Sequence, residues 1–385
     1  MPTESLTSEA STQRATEGRS SGSHPVLSTF ELGGLKLPNR VVMSAMTRGR
    51  TTSGNHAPIP LEAEYYAQRA STGLIVTGGI YISPQATGAI NVPGIYNEEH
   101  VNGWRYVTDT VHAKCGRIFA QLGHSGGVSH PDLQGGDLPV APSAVNPGSK
   151  VFTPSGFTDT VTPRELTRGE IQDIVEDYRR AAEYAKDAGF DGVELHGANI
   201  YLIPQFMSDA LNHRTDEYGG SPEGRTRFLF EVLDAIASVW NRSRVGVKLS
   251  PSLHGVGAFQ ATENLLPTYE LAFHRLNDFH PAYIHLARAN NDVSGTPLAS
   301  LKNSVLQHFR PRFDGTIIGN GGFDLNAAND AIRHGDADLV SFARPFISNP
   351  DLVDRFARGR ELTPSDPKSY YQGGALGYTS YPPYS

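Results

Sequence analysis

Along nearly the whole chain, short apolar runs alternate with longer stretches in which apolar residues recur at helical spacing. The runs fall at 41–45, 73–79, 117–122, 192–195, 245–250, 282–286, 316–322 and 338–344, and each stops at or near glycine or a polar residue. Continuous apolar runs this short suit strands buried on both faces, as in a parallel sheet. The helical stretches lie between them. One occupies 61–70, and the next is capped by Asn97, with Glu98 and Glu99 in its first turn and Val101, Trp104, Val107 and Val111 on one face. Thr167 and Glu170 form a capping box, after which Ile171, Ile174, Val175, Tyr178, Ala181, Ala182 and Ala185 keep helical period up to Gly189. Further helices are predicted over 228–239 and 265–276. Repeated strand-to-helix steps predict an α/β fold, a single (β/α)8 TIM barrel over 25–385. A hairpin at 27–37, turning at Gly33-Gly34, would close its bottom. A Gly-, Pro- and Ser-rich excursion over 132–163, between the third and fourth strands, would carry a second small hairpin at 151–161.

Composition narrows the function classes. The 385 residues carry a net charge of −7 with no basic patch, which argues against nucleic acid and anionic membranes as partners. No apolar run approaches the ~18 residues a spanning helix needs. A hydrophobic fraction of 38% beside 40 glycines and 26 prolines describes a loop-rich chain with material for a sizeable core. The single cysteine, Cys115, excludes an intramolecular disulfide and, standing in a helical pattern, reads as buried packing. Residues 1–24, rich in Ser, Thr and Glu, read as a disordered tail, and Glu4, Glu9 and Glu17 argue against a transit peptide. The expected location is cytoplasmic.

The chemistry concentrates in 191–227. His196, Asn199 and Tyr201 follow the fourth strand directly, at what would be the catalytic rim of a barrel. They offer an imidazole, an amide and a phenol: two donors able to polarise one oxygen, and one weak acid. No charged nucleophile stands among them. The set suits a reaction that builds negative charge on a carbonyl and then protonates a neighbouring carbon, more than it suits hydrolysis. On these residues alone, ordinary satisfied polar groups at a strand end remain the alternative. Lys248, within the fifth strand, is either a snorkelling surface residue or a buried cation that meets an anion. Gly321 and Gly322 after the seventh strand, with Ala343 and Arg344 after the eighth, would make a phosphate cradle. His124 and His130 have no carboxylate or cysteine at ligand spacing, so no metal site is expected.

The motif H-x-x-N-x-Y-L at His196, Asn199 and Tyr201, then Gln205-Phe206, then Asn212, Arg214, Asp216, Tyr218, Gly219, Gly220 and Ser221, resembles the old yellow enzyme family. That resemblance covers about 26–383. It implies tightly but non-covalently bound FMN, NADPH or NADH as hydride donor, and reduction of an activated C=C bond in a small unsaturated carbonyl compound. By the same resemblance Ala45, Met46 and Thr47 would lie against the flavin ring, Gln121 would bond its pyrimidine side, and Lys248 would stand near N1 and O2 where the family usually has arginine. His196 and Asn199 would hold the substrate carbonyl, Tyr201 would give the proton, and Tyr371 would hang over the substrate. Three positions depart from the pattern: Gly123 for the usual tryptophan, Gly127 for arginine and Ile200 for glycine. The loss of an indole at Gly123 predicts a larger pocket and a bulky substrate, as in secondary metabolism. A flavin-dependent desaturase, isomerase or cyclase is the rival activity, and a non-catalytic flavin-binding protein the rival of another class. A monomer or homodimer is expected.

Overall fold

A computed structural model describes residues 24–288, 291–302 and 304–384. The expected tail at 1–24 therefore lies outside the described residues, except for its last member. Eight strands close into a barrel: Val41–Met43, Leu74–Tyr81, Ile118–Gly123, Gly192–Gly197, Val245–Leu249, Tyr283–Ala287, Ile317–Asn320 and Leu339–Phe342. Every neighbouring pair is parallel, and the eighth strand pairs with the first. These strands are buried almost throughout, which explains their continuous apolar runs. Helices such as Glu98–His112, Arg168–Asp187, Pro222–Ala237 and Leu265–Phe279 lie between successive strands. Asn97 accepts from the His100 amide, and Thr167 with Glu170 closes the expected capping box.

The hairpin Phe30–Leu32/Leu35–Leu37 packs Leu32, Leu35 and Leu37 against Val42, Leu74, Val76, Phe119, Tyr283 and Ile318, so it plugs the barrel with apolar surface. Gly192 and Gly246 lie beside that plug because a Cβ there would stand 2.4 Å and 2.3 Å from the rings of Phe119 and Tyr283. The excursion after the third strand pairs Val140–Ala141 with Arg164–Glu165 and holds the antiparallel hairpin Lys150–Thr153/Gly156–Asp159. The Ile90 amide donates to Phe152 O at 3.0 Å, which ties that hairpin to the rim.

Two expectations need correction. The second strand does not stop at Gly79 but runs on to Tyr81, with a register shift between Val76 and Gly79 that turns new residues toward the mouth. Cys115 is neither helical nor buried: the helix ends before it, and it is exposed, with a left-handed φ of 60° in the turn. Among the described residues no helix is long and apolar enough to cross a membrane.

Candidate active site

The ends of the strands surround a cavity of about 470 Å³. Ala45, Met46 and Thr47 line it from beyond the first strand, Gln121 from the third, His196 with Asn199 and Tyr201 from the fourth, Lys248 from the fifth, and Ala343 with Arg344 from beyond the eighth. Tyr371, from the C-terminal segment, completes one wall. The structure thus gathers most of the residues singled out in the sequence onto one surface. Gly321 and Gly322 are exceptions: they do not line this cavity, although both take positive φ (112° and 68°), and Arg288 Nε donates to Gly321 O at 3.0 Å. Ala343 has φ −105°, outside the left-handed region, so a methyl where the family has glycine costs no backbone strain.

His196 is buried and its Nδ1 has no hydrogen-bond partner among the described residues. Burial, and next the Lys248 cation, push its pKa down to about 3, so the ring is neutral and keeps one N–H to give. Tyr201 lies edge-on to it, with centroids 4.9 Å apart and planes at 75°. Burial raises the Tyr201 phenol above its usual value, and the nearby Tyr371 adds to the rise. Asn199 adopts φ 61°, a conformation that asparagine tolerates better than most residues. Its backbone N–H donates to Ser250 Oγ at 2.8 Å, and its exposed side chain lines the cavity.

The rest of the signature is scaffold. Gln205 donates to Ser125 O (3.1 Å) and Ile200 O (2.8 Å) and accepts from the Gly127 amide (3.0 Å), clamping the loop after the third strand to that after the fourth. Asn212 bridges Phe206 O and Tyr218 O at 2.7 Å each, and Arg214 forks onto Asp216. Beyond Thr47, Arg48 donates to Tyr370 O (2.9 Å), Ser369 O (3.2 Å) and Gly377 O (2.8 Å). The segment presenting Tyr371 is therefore held by the residue next to the cavity.

Lys248 is 6% exposed, inside the barrel, and its Nζ reaches Ser44 Oγ at 3.3 Å without a carboxylate at ion-pair distance among the described residues. A buried cation so placed, facing a cavity, asks for an anion. That demand, the amide of Gln121, the hydroxyl of Thr47 and the guanidinium of Arg344 fit FMN: the first three suit the ring with its charge-accepting pyrimidine edge, the last its phosphate. Sequence reading passed over Glu194, which is fully buried in the fourth strand and bonds Gln121 and His285. A carboxylate in an otherwise apolar strand was the available signal.

The departures from the pattern have physical outcomes. Gly123 lines a space of only about 30 Å³, together with Tyr81, His196 and Tyr201. A Cβ on Gly123 would meet His196 at 3.4 Å, and Tyr81, its register partner, lines the same small space, so the expected large opening there is corrected. Gly127 faces Pro147 and Pro163, where a Cβ would lie 3.0 and 3.2 Å from their rings, and Ile200 lines neither the cavity nor its annexes. Gly123→Trp alone should therefore overpack the site, lowering thermal stability by about 1–3 kcal/mol. A melting curve for Gly123→Trp equal to that of the parent would contradict this packing.

The NADH:flavin oxidoreductase / NADH oxidase family matches residues 26–363. The chain is 38% identical over 375 residues to 12-oxophytodienoate reductase 7 of Oryza sativa subsp. japonica, covering 93% of this chain and 94% of that one. Among solved structures it is similar to morphinone reductase in complex with tetrahydroNAD, with TM-score 0.87, 41% identity and coverage of 94% and 98%. It is similar also to the old yellow enzyme homologue from Zymomonas mobilis, with TM-score 0.87, 35% identity and coverage of 93% and 99%. With the barrel, the FMN-compatible cavity and these likenesses in agreement, the chain belongs to the NADH:flavin oxidoreductase / NADH oxidase family, of old yellow enzyme type, and is an FMN-dependent oxidoreductase supplied by a nicotinamide donor.

Proposed function

We propose that the protein reduces the electron-poor C=C bond of an α,β-unsaturated carbonyl compound at the expense of NAD(P)H. The observation that carries this reading is the convergence of a neutral His196, whose Nδ1 has no hydrogen-bond partner among the described residues, the side-chain amide of Asn199 and the proton-holding Tyr201 on one cavity. Bound FMN supplies the hydride relay between nicotinamide and alkene. His196 and Asn199 donate to the carbonyl oxygen and stabilise the negative charge that grows there. Tyr201 delivers a proton to the α-carbon from its phenol, which stays protonated at neutral pH. The test is anaerobic incubation of the purified flavoprotein with NADPH and a panel of cyclic and open-chain enones. Saturated product should appear one for one with NADPH consumed. Oxidation of NADPH with every alkene recovered unchanged would refute the proposal.

Substrate size follows from the annexe beside the cavity. A recess of about 300 Å³ shares Thr47, Tyr201 and Tyr371 with it and is walled by Ala89, Ile90, Val92, Val128, Phe152 and Phe157. Phe157 is 68% exposed on the small hairpin, a large apolar side chain left open to water beside an apolar hollow. With the flavin in the main cavity, this recess suits a bulky apolar arm on the substrate. Specialised metabolism, in the cytosol, is the setting we propose for such a compound. Phe157→Ala should raise KM for a large-armed enone about tenfold, equivalent to ~1.4 kcal/mol, and leave KM for a small cyclic enone nearly unchanged. Equal effects on both would remove the recess from the substrate site.

A further inference from the structure

Inside the barrel, where bulky aliphatic residues usually fill the layers, this chain places a connected polar layer. Gln121 Nε2 donates to Glu194 Oε1 at 2.7 Å; the other oxygen, Oε2, meets His285 Nδ1 at 2.9 Å; and His285 Nε2 meets Ser341 Oγ at 2.8 Å. Asn320 donates to the same Ser341 oxygen at 2.8 Å and to Ser44 Oγ at 3.3 Å, and Ser44 also receives Lys248. The layer links six strands and Ser44, the residue after the first, and two of its members, Gln121 and Lys248, line the flavin cavity. Glu194 itself does not line it.

Burial opposes ionisation of Glu194, but its contacts with His285, the Lys248 cation and Gln121 outweigh that and hold its carboxyl down at about 2. Burial and then Lys248 push the His285 pKa down too, against the upward pull of Glu194, so it is the neutral donor of the pair. The layer then holds one anion and one cation. A carboxylate only accepts, so Glu194 fixes which end of the Gln121 amide turns inward: the nitrogen is committed to Glu194. The amide oxygen is left toward Gly79 at the cavity wall, 3.6 Å from where a Cβ of that glycine would stand.

We propose that Glu194 is a positioning residue that sets the reduction potential of the bound flavin, by orienting the Gln121 amide and by offsetting the charge of Lys248. Without its anion, the Lys248 charge acts undiminished on a cofactor that gains negative charge on reduction. Glutamine at 194 also lets the Gln121 amide take either orientation. The proposal depends on the flavin site alone and not on the identity of the alkene, so its test uses no substrate.

Midpoint potentials of the FMN-loaded proteins are measured by equilibration with reference dyes. Glu194→Gln should favour reduced flavin at least tenfold, an upward shift of about 30 mV for a two-electron couple. Lys248→Met should shift the potential downward, and the double variant should fall between the singles. If Glu194→Gln does not fold, Lys248→Met and the double variant carry the test. A merely structural Glu194 would lower the melting temperature and leave the potential of Glu194→Gln unmoved. That result, or an unmoved potential in Lys248→Met, would overturn the proposal.

Discussion

Tyr201→Phe should slow the alkene-reducing half-reaction by about 10²–10⁴-fold, the usual worth of a positioned general acid, while flavin reduction by the nicotinamide stays nearly intact. The asymmetry follows from where the phenol stands. Tyr201 precedes the short helix Leu202–Met207 with extended backbone (φ −86°, ψ −175°), which projects its ring into the cavity against His196. Its hydroxyl has no hydrogen-bond partner among the described residues and keeps its proton because burial disfavours the phenolate. Hydride arriving from a nicotinamide needs no acid, whereas the α-carbon of a reduced enone does. Stopped-flow bleaching by NADPH and re-oxidation by an enone, measured separately, give the two rates. Equal losses in both would remove the phenol from the proton-donating role.

His196→Ala should act through charge instead of the proton, lowering enone turnover by about 10²–10³-fold, as loss of an oxyanion donor does. It should also weaken binding of phenols, whose oxygen mimics the developing enolate. The pH dependence separates a neutral donor from a cationic one. With a folded pKa of about 3, the ring is already neutral through the physiological range, so the parent's enone half-reaction should show no His196 titration between about pH 5 and 8. A rate falling as pH rises through the ordinary histidine range, and flat in His196→Ala, would show that the cation is the working form.

The barrel was readable because its strands are buried on both faces and its helices on one, so period and run length separated them. Boundaries failed where backbone geometry overrode composition. Gly78 and Gly79 look like a stop, yet the strand absorbs them by a register shift and carries Tyr81 to the rim. That shift also defeated the reading of Gly123. A glycine in place of tryptophan predicts a void only when its cross-strand neighbour is known to be small, and pairing across strands is not written in a linear sequence. Glu194 was missed for a related reason. Its partners, Gln121 and His285, lie 73 and 91 positions away, so nothing local distinguishes it from a solvated carboxylate. His196, Asn199 and Tyr201 were legible because a strand end projects nearby residues into one space.

In this division of labour the α-carbon receives its proton from the protein and the β-carbon its hydride from the nicotinamide. Anaerobic turnover of a cyclic enone with unlabelled NADPH in deuterated water, followed by mass spectrometry and NMR of the product, tests it most directly. The expected result is a saturated product with one deuterium at the α-carbon and none at the β-carbon, formed far more slowly by Tyr201→Phe. Deuterium at the β-carbon, or a product in which the double bond has moved without being reduced, would contradict it.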